Sequence, residues 1–534
     1  MIEITEELKN LAELFKKYEI KLYLVGGVVR DGYLGIKNYN SDDIDICSSA
    51  TPKMIEYMLE GTGFTFSYLN KQLGVMAIKG EKVYEHATFR KEVYSNDKHN
   101  PNSVAFIKHL SEDVERRDFK INAVYYDILE NRYVDPLGGI EDLKKKVLTT
   151  TKPAKIVFND DPERILRLIR FSTTLGFKIP ENELEYAKKN AYKVQGLSKG
   201  RIRREFEKLI KADMFYPDYE PSKNSHIESI NMLEEFDIMQ YILPLLHELK
   251  NSNKMTATGE KLYNRALRNF KMAKPENRLT VLILELLQYE KEKLPKPKFY
   301  EEPLAILSSK FNSVLNKFKK PKKDKINDFM KGIEELEEYK SSEENVETET
   351  SKNNKKGKKE KEVKFDEEAF VDEIIRVNFS QEGLNYPPSV LDKMKKTVLG
   401  YYFEKTMFVS IKDVRRFIYY NVDAIESIIE LKNNIKYGVL TDKENKKRRE
   451  NIELLKSTYK QMLEENVIFD KEELNINGEE LIRSFPKIKL ELLEEFKNDI
   501  AAKLAEDKNE NNKETLIVMA NKVINSKRDY YLED

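Results

Sequence analysis

The sequence predicts an α+β fold: a small mixed-sheet head over residues 1–150, followed by a long all-α body and tail. Two observations carry this. Through the first 150 residues, short apolar runs are separated by turn residues, and helical spacing is sparse. From Pro162 onward, apolar residues recur at helical spacing nearly throughout. A third observation places the chemistry in the head. Leu24-Val25-Gly26-Gly27-Val28-Val29-Arg30-Asp31 is followed, about a dozen residues later, by Asp42-Asp43-Ile44-Asp45.

Taken in order, Leu8, Leu11, Leu14 and Phe15 lie at helical spacing within residues 5–18. Residues 21–28 read as a buried strand and 44–46 as a second. Thr51-Pro52 opens a helix carrying Met54, Met58 and Leu59, with Pro at its first position. Residues 74–78 and 82–89 read as strands joined at Lys79-Gly80-Glu81, and 96–102 as a polar loop. Residues 124–128 and 133–134 form strands around the turn Glu130-Asn131, and Asp135-Pro136-Leu137-Gly138-Gly139 closes the head. A helix over 161–176 stops at Leu175-Gly176. Ser198 caps a helix through Ile202, Phe206 and Leu209, and 227–250 and 259–290 are apolar-periodic helices. The expected segments are a head (1–150), neck helices (151–215), a helical body (216–339), a charged low-complexity linker (340–364) and a helical tail (365–534). The linker is acidic in its first half and lysine-rich in its second.

Composition excludes several classes. A single cysteine, Cys47, rules out an internal disulfide framework and a cysteine-based zinc site, and points to the cytoplasm. Apolar runs are too short for a membrane span, and the acidic N-terminus does not resemble a signal peptide. Lys plus Arg equals Asp plus Glu at 93 each, but 35% of the chain is charged, so segregation of charge matters more than the sum. The five histidines are scattered and none precedes an aspartate, which excludes a His-Asp phosphohydrolase module.

Gly26-Gly27 lets the backbone approach something bulky, and a phosphate is the usual guest. In a strand Asp43 and Asp45 point to one face, because the side-chain period is two. Paired carboxylates there suit Mg2+, a hard ion that takes its remaining ligands from water and substrate phosphates. Asp43 and Asp45 are therefore the candidate catalytic and metal-binding residues of a phosphoryl or nucleotidyl transfer site. Glu85 is either a third carboxylate or structural. Gly27 and Arg30 are candidates for the triphosphate oxygens, with a salt bridge from Arg30 to Asp31 as the alternative. Arg164, Arg167 and Arg170 follow Asp161 at three-residue intervals, a stripe of planar forks able to read a base edge or simply to face solvent.

The combination resembles the class II tRNA nucleotidyltransferase and bacterial poly(A) polymerase family, within the polymerase-β-like superfamily. Three further segments match it in order. They are Glu85-His86-Ala87-Thr88-Phe89-Arg90, Arg116-Arg117-Asp118-Phe119-Lys120-Ile121-Asn122-Ala123, and the helix opened by Asp160-Asp161-Pro162-Glu163-Arg164. The resemblance implies that Arg117 meets the nucleotide phosphate and Asp118 the ribose hydroxyls. It implies that Asp161 and Arg164 pair with cytosine or adenine as a protein template. The chain departs from the family at Lys120, usually Thr, at Asp160, usually Glu, and at Gly200 within Ser198-Lys199-Gly200-Arg201, again usually Glu.

Lys71-Gln72-Leu73-Gly74, the loop around Asp97-Lys98-His99-Asn100-Pro101, and Leu474-Asn475-Ile476-Asn477-Gly478 are similar to the CCA-adding branch. The function implied is addition of CCA to the tRNA 3′ end from CTP and ATP, with tRNA as partner. A poly(A) polymerase and a catalytically idle RNA-binding protein are the alternatives. The lysine run Lys317, Lys319, Lys320, Lys322, Lys323, Lys325 and the cluster Lys412, Arg415, Arg416 beside Tyr419 and Tyr420 are candidate RNA contacts.

Overall fold

Seven strands form one mixed sheet in the order β3-β4-β5-β2-β1-β8-β9. They are β1 (Tyr23–Val25), β2 (Ile44–Ser48), β3 (Thr65–Asn70), β4 (Val75–Lys79), β5 (Val83–Thr88), β8 (Tyr125–Asp127) and β9 (Arg132–Val134). The pair β6 (Arg90–Val93) and β7 (Ser103–Phe106) makes a separate two-stranded ribbon. This is a computed structural model that describes residues 2, 4–37, 44–93, 103–293, 365–403, 410–437, 441–507 and 510–533. Asp43, the whole 96–102 loop, the lysine run at 317–325 and the 340–364 segment lie outside the described residues.

Helix α1 (Glu6–Lys16) starts where the Thr5 hydroxyl accepts the Leu8 N–H, and buries Leu8, Leu11, Ala12 and Phe15. These residues share a core with Ile46, Met76, Ile78 and Tyr84 on one face of the sheet. The strand expected over 21–28 is shorter. β1 ends at Val25, Gly26 takes φ 75°, and α2 (Gly27–Leu34) begins at once. An apolar run of that length does not distinguish strand from helix, and the left-handed turn at Gly26 decides it. α3 (Pro52–Leu59) has Pro at its first position, as expected, although Thr51 makes no side-chain cap. β3 was not expected. It is an edge strand exposed along most of its length, so it lacks the apolar alternation that marks a half-buried strand.

Beyond the sheet come α4 (Leu110–Asp113), α5 (Gly139–Lys145), α6 (Ala154–Asp160), α7 (Glu163–Leu175), α8 (Glu181–Asn190) and α9 (Lys199–Ile210). Asp161 lies between α6 and α7 in extended backbone, not on the helix as its spacing suggested. Pro162 follows it, and a residue before proline is driven out of the helical region. The Ser198 cap of α9 forms as expected.

The two long helices expected next are each broken. The first becomes α10 (Ser225–Glu235), α11 (Met239–Ile242) and α12 (Pro244–Asn251), interrupted at Asp237 with φ 57° and at Pro244. The second becomes α13 (Leu262–Met272) and α14 (Arg278–Lys293), split around Pro275. The remaining helices are α15 (Glu367–Asn378), α16 (Pro388–Tyr401), α17 (Ile411–Tyr420), α18 (Ile425–Asn434), α19 (Asp442–Glu464), α20 (Gly478–Ser484), α21 (Leu493–Asp507), α22 (Lys513–Ser526) and α23 (Arg528–Tyr531).

One apolar core runs from Phe119 through the neck and body and takes in Val371, Phe379, Val398 and Ile435. A second core is built from Val414 to Tyr531. α18 belongs to both, since Leu431 faces the first and Ile425 the second. Residues from Glu367 to Tyr401 thus pack with the body, although they follow the charged segment in sequence.

Candidate active site

β2 and β5 are parallel, and their register sets Asp45 beside Glu85. Side chains alternate along both strands. Ile46, Ser48, Tyr84, His86 and Thr88 are buried against the helices, while Asp45 and Glu85 are half-buried on the other face. The two carboxylates therefore share the open face of the sheet.

The chain leaving β1 delivers α2 to the same place. A side chain at Gly26 would put its Cβ 3.0 Å from Asp45 Oδ2, on backbone already at φ 75°. Gly26 is thus the position that geometry restricts. At Gly27 the nearest side-chain atom to such a Cβ is 3.6 Å away, at Arg30. The N–H groups of the first turn of α2 have no intrahelical partner, and a helix N-terminus favours anions.

Arg30 is buried, and its guanidinium serves as a brace. Nε donates to Asp31 (2.7 Å), one terminal nitrogen to Asn122 (2.8 Å) and the other to the Tyr216 hydroxyl (2.7 Å). The ion pair with Asp31, one of the two readings from sequence, is the one formed. Tyr216 donates in turn to Asp31 at 3.0 Å. Head and body are joined here through polar groups.

The turn after α4 carries Arg117 and Asp118. Arg117 Nε donates to the Tyr125 hydroxyl at 2.9 Å, and its plane lies over the Tyr125 ring. Asp118 is buried and accepts from its neighbour's backbone (Phe119 N–H, 2.8 Å), from Asn122 (3.2 Å) and from two nitrogens of Arg167 (2.7 Å each). Burial would raise its pKa, but Arg167 and these donors hold the carboxyl below its ordinary value.

The stripe on α7 is not a solvated face. Arg167 pairs with Asp118, and Arg170 donates to Glu205 at 3.0 Å. Arg164 is buried and points its terminal nitrogens at backbone carbonyls of Arg116 (2.6 Å) and Val157 (3.5 Å). Asp161 pairs with Arg201, which reaches both carboxylate oxygens at 2.8 Å. The structure thus brings Asp161 to Arg201 rather than to Arg164. Arg201 and Glu205, four residues apart on α9, are the partners that sequence reasoning passed over. An opposite-charge pair at that spacing within residues 198–205 was the available signal. Tyr216 and the buried Asp113 had none.

The cations of the tail cluster have partners within the fold. Arg415 is fully buried and donates to the Ala505 carbonyl (2.6 Å) and to Glu465 (2.8 Å). Lys412 pairs with Asp507 and Arg416 with Glu506. These cations fasten α17 to α21 and neighbouring chain. Their partners lie 50 to 95 positions on, too distant to be read locally. No described helix is long and apolar enough to cross a membrane.

A mixed sheet with paired carboxylates on its open face and a glycine-started helix against them defines the class: residues 22–149 match the poly(A) polymerase head domain. The chain is 30% identical over 252 residues to a CCA-adding enzyme of Geobacillus sp., covering 47% of this chain and 57% of that protein. It is 36% identical over 197 residues to one from Bacillus licheniformis, covering 37% and 48%. The chain therefore spans about half the length of the relatives it matches. The crystal structure of the Bacillus stearothermophilus CCA-adding enzyme in complex with CTP shares the fold, with a TM-score of 0.52 at 18% identity over 98% of this chain and 100% of that one.

Proposed function

We propose that this protein is a template-independent nucleotidyltransferase that adds CCA to the 3′ end of tRNA from CTP and ATP. The RNA 3′-hydroxyl attacks the α-phosphate and pyrophosphate leaves. The observation that carries this is the in-register Asp45–Glu85 pair facing the N-terminus of α2, in a chain whose residues 22–149 match the poly(A) polymerase head domain.

Two carboxylate oxygens donated from neighbouring strands suit a hard divalent cation, which we take to be Mg2+, with Asp43 as a further ligand. Bound there, such an ion lowers the pKa of the attacking hydroxyl and offsets charge on the triphosphate. The first turn of α2 at Gly27 receives phosphate oxygens, and Arg30 fixes that turn against Asn122 and Tyr216. Arg117 supplies positive charge to the phosphates. Asp118, kept ionised by Arg167, accepts from the ribose hydroxyls when Arg167 gives up one of its two contacts, and so favours ribonucleotides.

Asp161 accepts from the exocyclic amino group shared by cytosine and adenine. Oδ1 already holds Arg201 and the Glu163 N–H, while Oδ2 holds one Arg201 contact and keeps a second lone pair. Arg164 contributes donors at the base edge when it leaves the Arg116 carbonyl, and Arg167 and Arg170 complete the cationic wall of the nucleotide pocket.

Incubation with tRNA lacking its CCA end, with CTP alone, ATP alone and both, tests the proposal. Two cytidines followed by one adenosine are expected, and Asp45→Asn should abolish incorporation while tRNA still binds. Long adenosine tails made without CTP would show a poly(A) polymerase instead. RNA binding with no incorporation would show an idle binding protein.

A further inference from the structure

Asp113 is fully buried at the end of α4. A carboxylate has about four lone-pair sites, and the structure fills them. Oδ1 accepts from the Arg90 backbone N–H (3.1 Å) and Arg116 Nε (2.7 Å). Oδ2 accepts from the Tyr125 hydroxyl (2.8 Å) and Arg117 (3.4 Å). Nothing is left for a substrate, so Asp113 acts through the groups it holds. Those groups come from three places: the start of β6, the turn of residues 116–118, and β8.

That turn is where the rest of the nucleotide pocket docks. The Arg116 carbonyl takes Arg164, the Arg117 carbonyl takes the Thr151 hydroxyl, and the Asp118 carboxylate takes Arg167. Tyr125 completes a closed triangle, donating to Asp113 while accepting from Arg117 Nε. The Arg117 guanidinium is thereby fixed in plane and direction. Burial opposes ionisation of Asp113, but Arg116 and Arg117 overturn this and hold its carboxyl below its ordinary value.

We propose that Asp113 is a positioning residue for the incoming nucleotide, orienting Arg117 through the Tyr125 triangle and anchoring the turn on which Arg164 and Asp118 depend. This rests on the nucleotide-binding reading given above. Because Arg117 serves the phosphates, which CTP and ATP share, loss of Asp113 should weaken both nucleotides alike. The RNA should be held as before.

The test uses the full chain with tRNA substrates. Asp113→Asn keeps the shape but turns one acceptor into a donor. We expect KM for both CTP and ATP to rise about tenfold, with kcat changed by less than about threefold and tRNA affinity unchanged. Tyr125→Phe keeps the Asp113 charge and removes only the bridging hydroxyl, with an expected rise of about threefold in both KM values. A folded Asp113→Asn with both KM values within about twofold of the unaltered protein, or with the loss entirely in kcat, overturns the proposal. If that variant does not fold, Tyr125→Phe decides by the same criterion. Calorimetric titration of the unaltered protein with CTP separates the two levels. No CTP binding overturns both this proposal and the reading beneath it, whereas equal binding by the unaltered protein and the variants overturns this proposal alone.

Discussion

Replacing Glu205 with Gln tests the ionic joint between α7 and α9. The carboxylate is 2% exposed and accepts from Arg170 (3.0 Å) and Lys208 (3.0 Å), with Arg167 at 3.9 Å. Burial alone would push its pKa up, but these cations bring it down from 4.5 to about 2. At about 1.4 kcal/mol per unit, that shift contributes roughly 3 kcal/mol of stability at neutral pH. Breaking a buried pair from one side costs a similar ~3–5 kcal/mol. The sign follows from the direction of the shift. A depressed carboxylate contributes fully above its unfolded pKa, and the contribution is lost as pH falls toward its folded one. The difference between the unaltered protein and Glu205→Gln should therefore be flat from about pH 8 to about pH 5 and shrink to roughly half by about pH 3. Urea unfolding followed by far-UV circular dichroism, with both proteins at each pH, measures it. A difference under about 1 kcal/mol at neutral pH, or one that already collapses between about pH 7 and about pH 5.5, would refute the reasoning.

Gly26→Ala should impair folding or incorporation far more than Gly27→Ala, because only the former combines φ 75° with a contact at 3.0 Å to Asp45. Thermal melts and incorporation rates of the two variants compare them directly. Asp118→Ala should relax discrimination between CTP and deoxy-CTP by about tenfold, a charge-assisted hydrogen bond being worth ~1.5–3 kcal/mol. An unchanged ratio of their kcat/KM values would remove the ribose assignment. Lys412→Ala should leave tRNA affinity within about twofold, since Asp507 already neutralises that lysine. A gel-shift titration that weakens severalfold would restore it as an RNA contact.

The head was legible in the sequence because its signals are local. Period-two runs, a Pro-started helix and the Glu130-Asn131 turn lie within a few residues of the atoms they organise, and Asn131 does take φ 52°. Gly26 was legible as a glycine pair, but not which of the two was constrained, because that depends on Asp45 arriving from the next strand. Charged partners were the least legible. Arg30 meets Asn122 and Tyr216 across 92 and 186 positions, and Arg415 meets Ala505 across 90. Such pairings are made by the fold, and composition cannot announce them. The same holds for the Asp161–Arg201 contact, where a three-residue spacing suggested a stripe and Pro162 removed its first member from the helix.

Under the function proposed above, the parallel register of β2 and β5 would also govern which ion the head accepts. Glu85 and His86 are neighbours on opposite faces of β5, and His86 lies 5.8 Å from the Phe15 ring, neutral, its pKa pushed down to about 3 by burial. A slip of one residue would exchange the two faces. An imidazole would then stand beside Asp45, and a carboxylate would be driven in against Phe15. The mixed nitrogen and oxygen pair left on the open side would suit zinc or copper better than a hard ion. The bond between His86 Nε2 and Ser48 Oγ, 2.8 Å long, forms on the far side of the sheet in the native alignment. A side chain on the buried face would thus guard the metal preference of the open one.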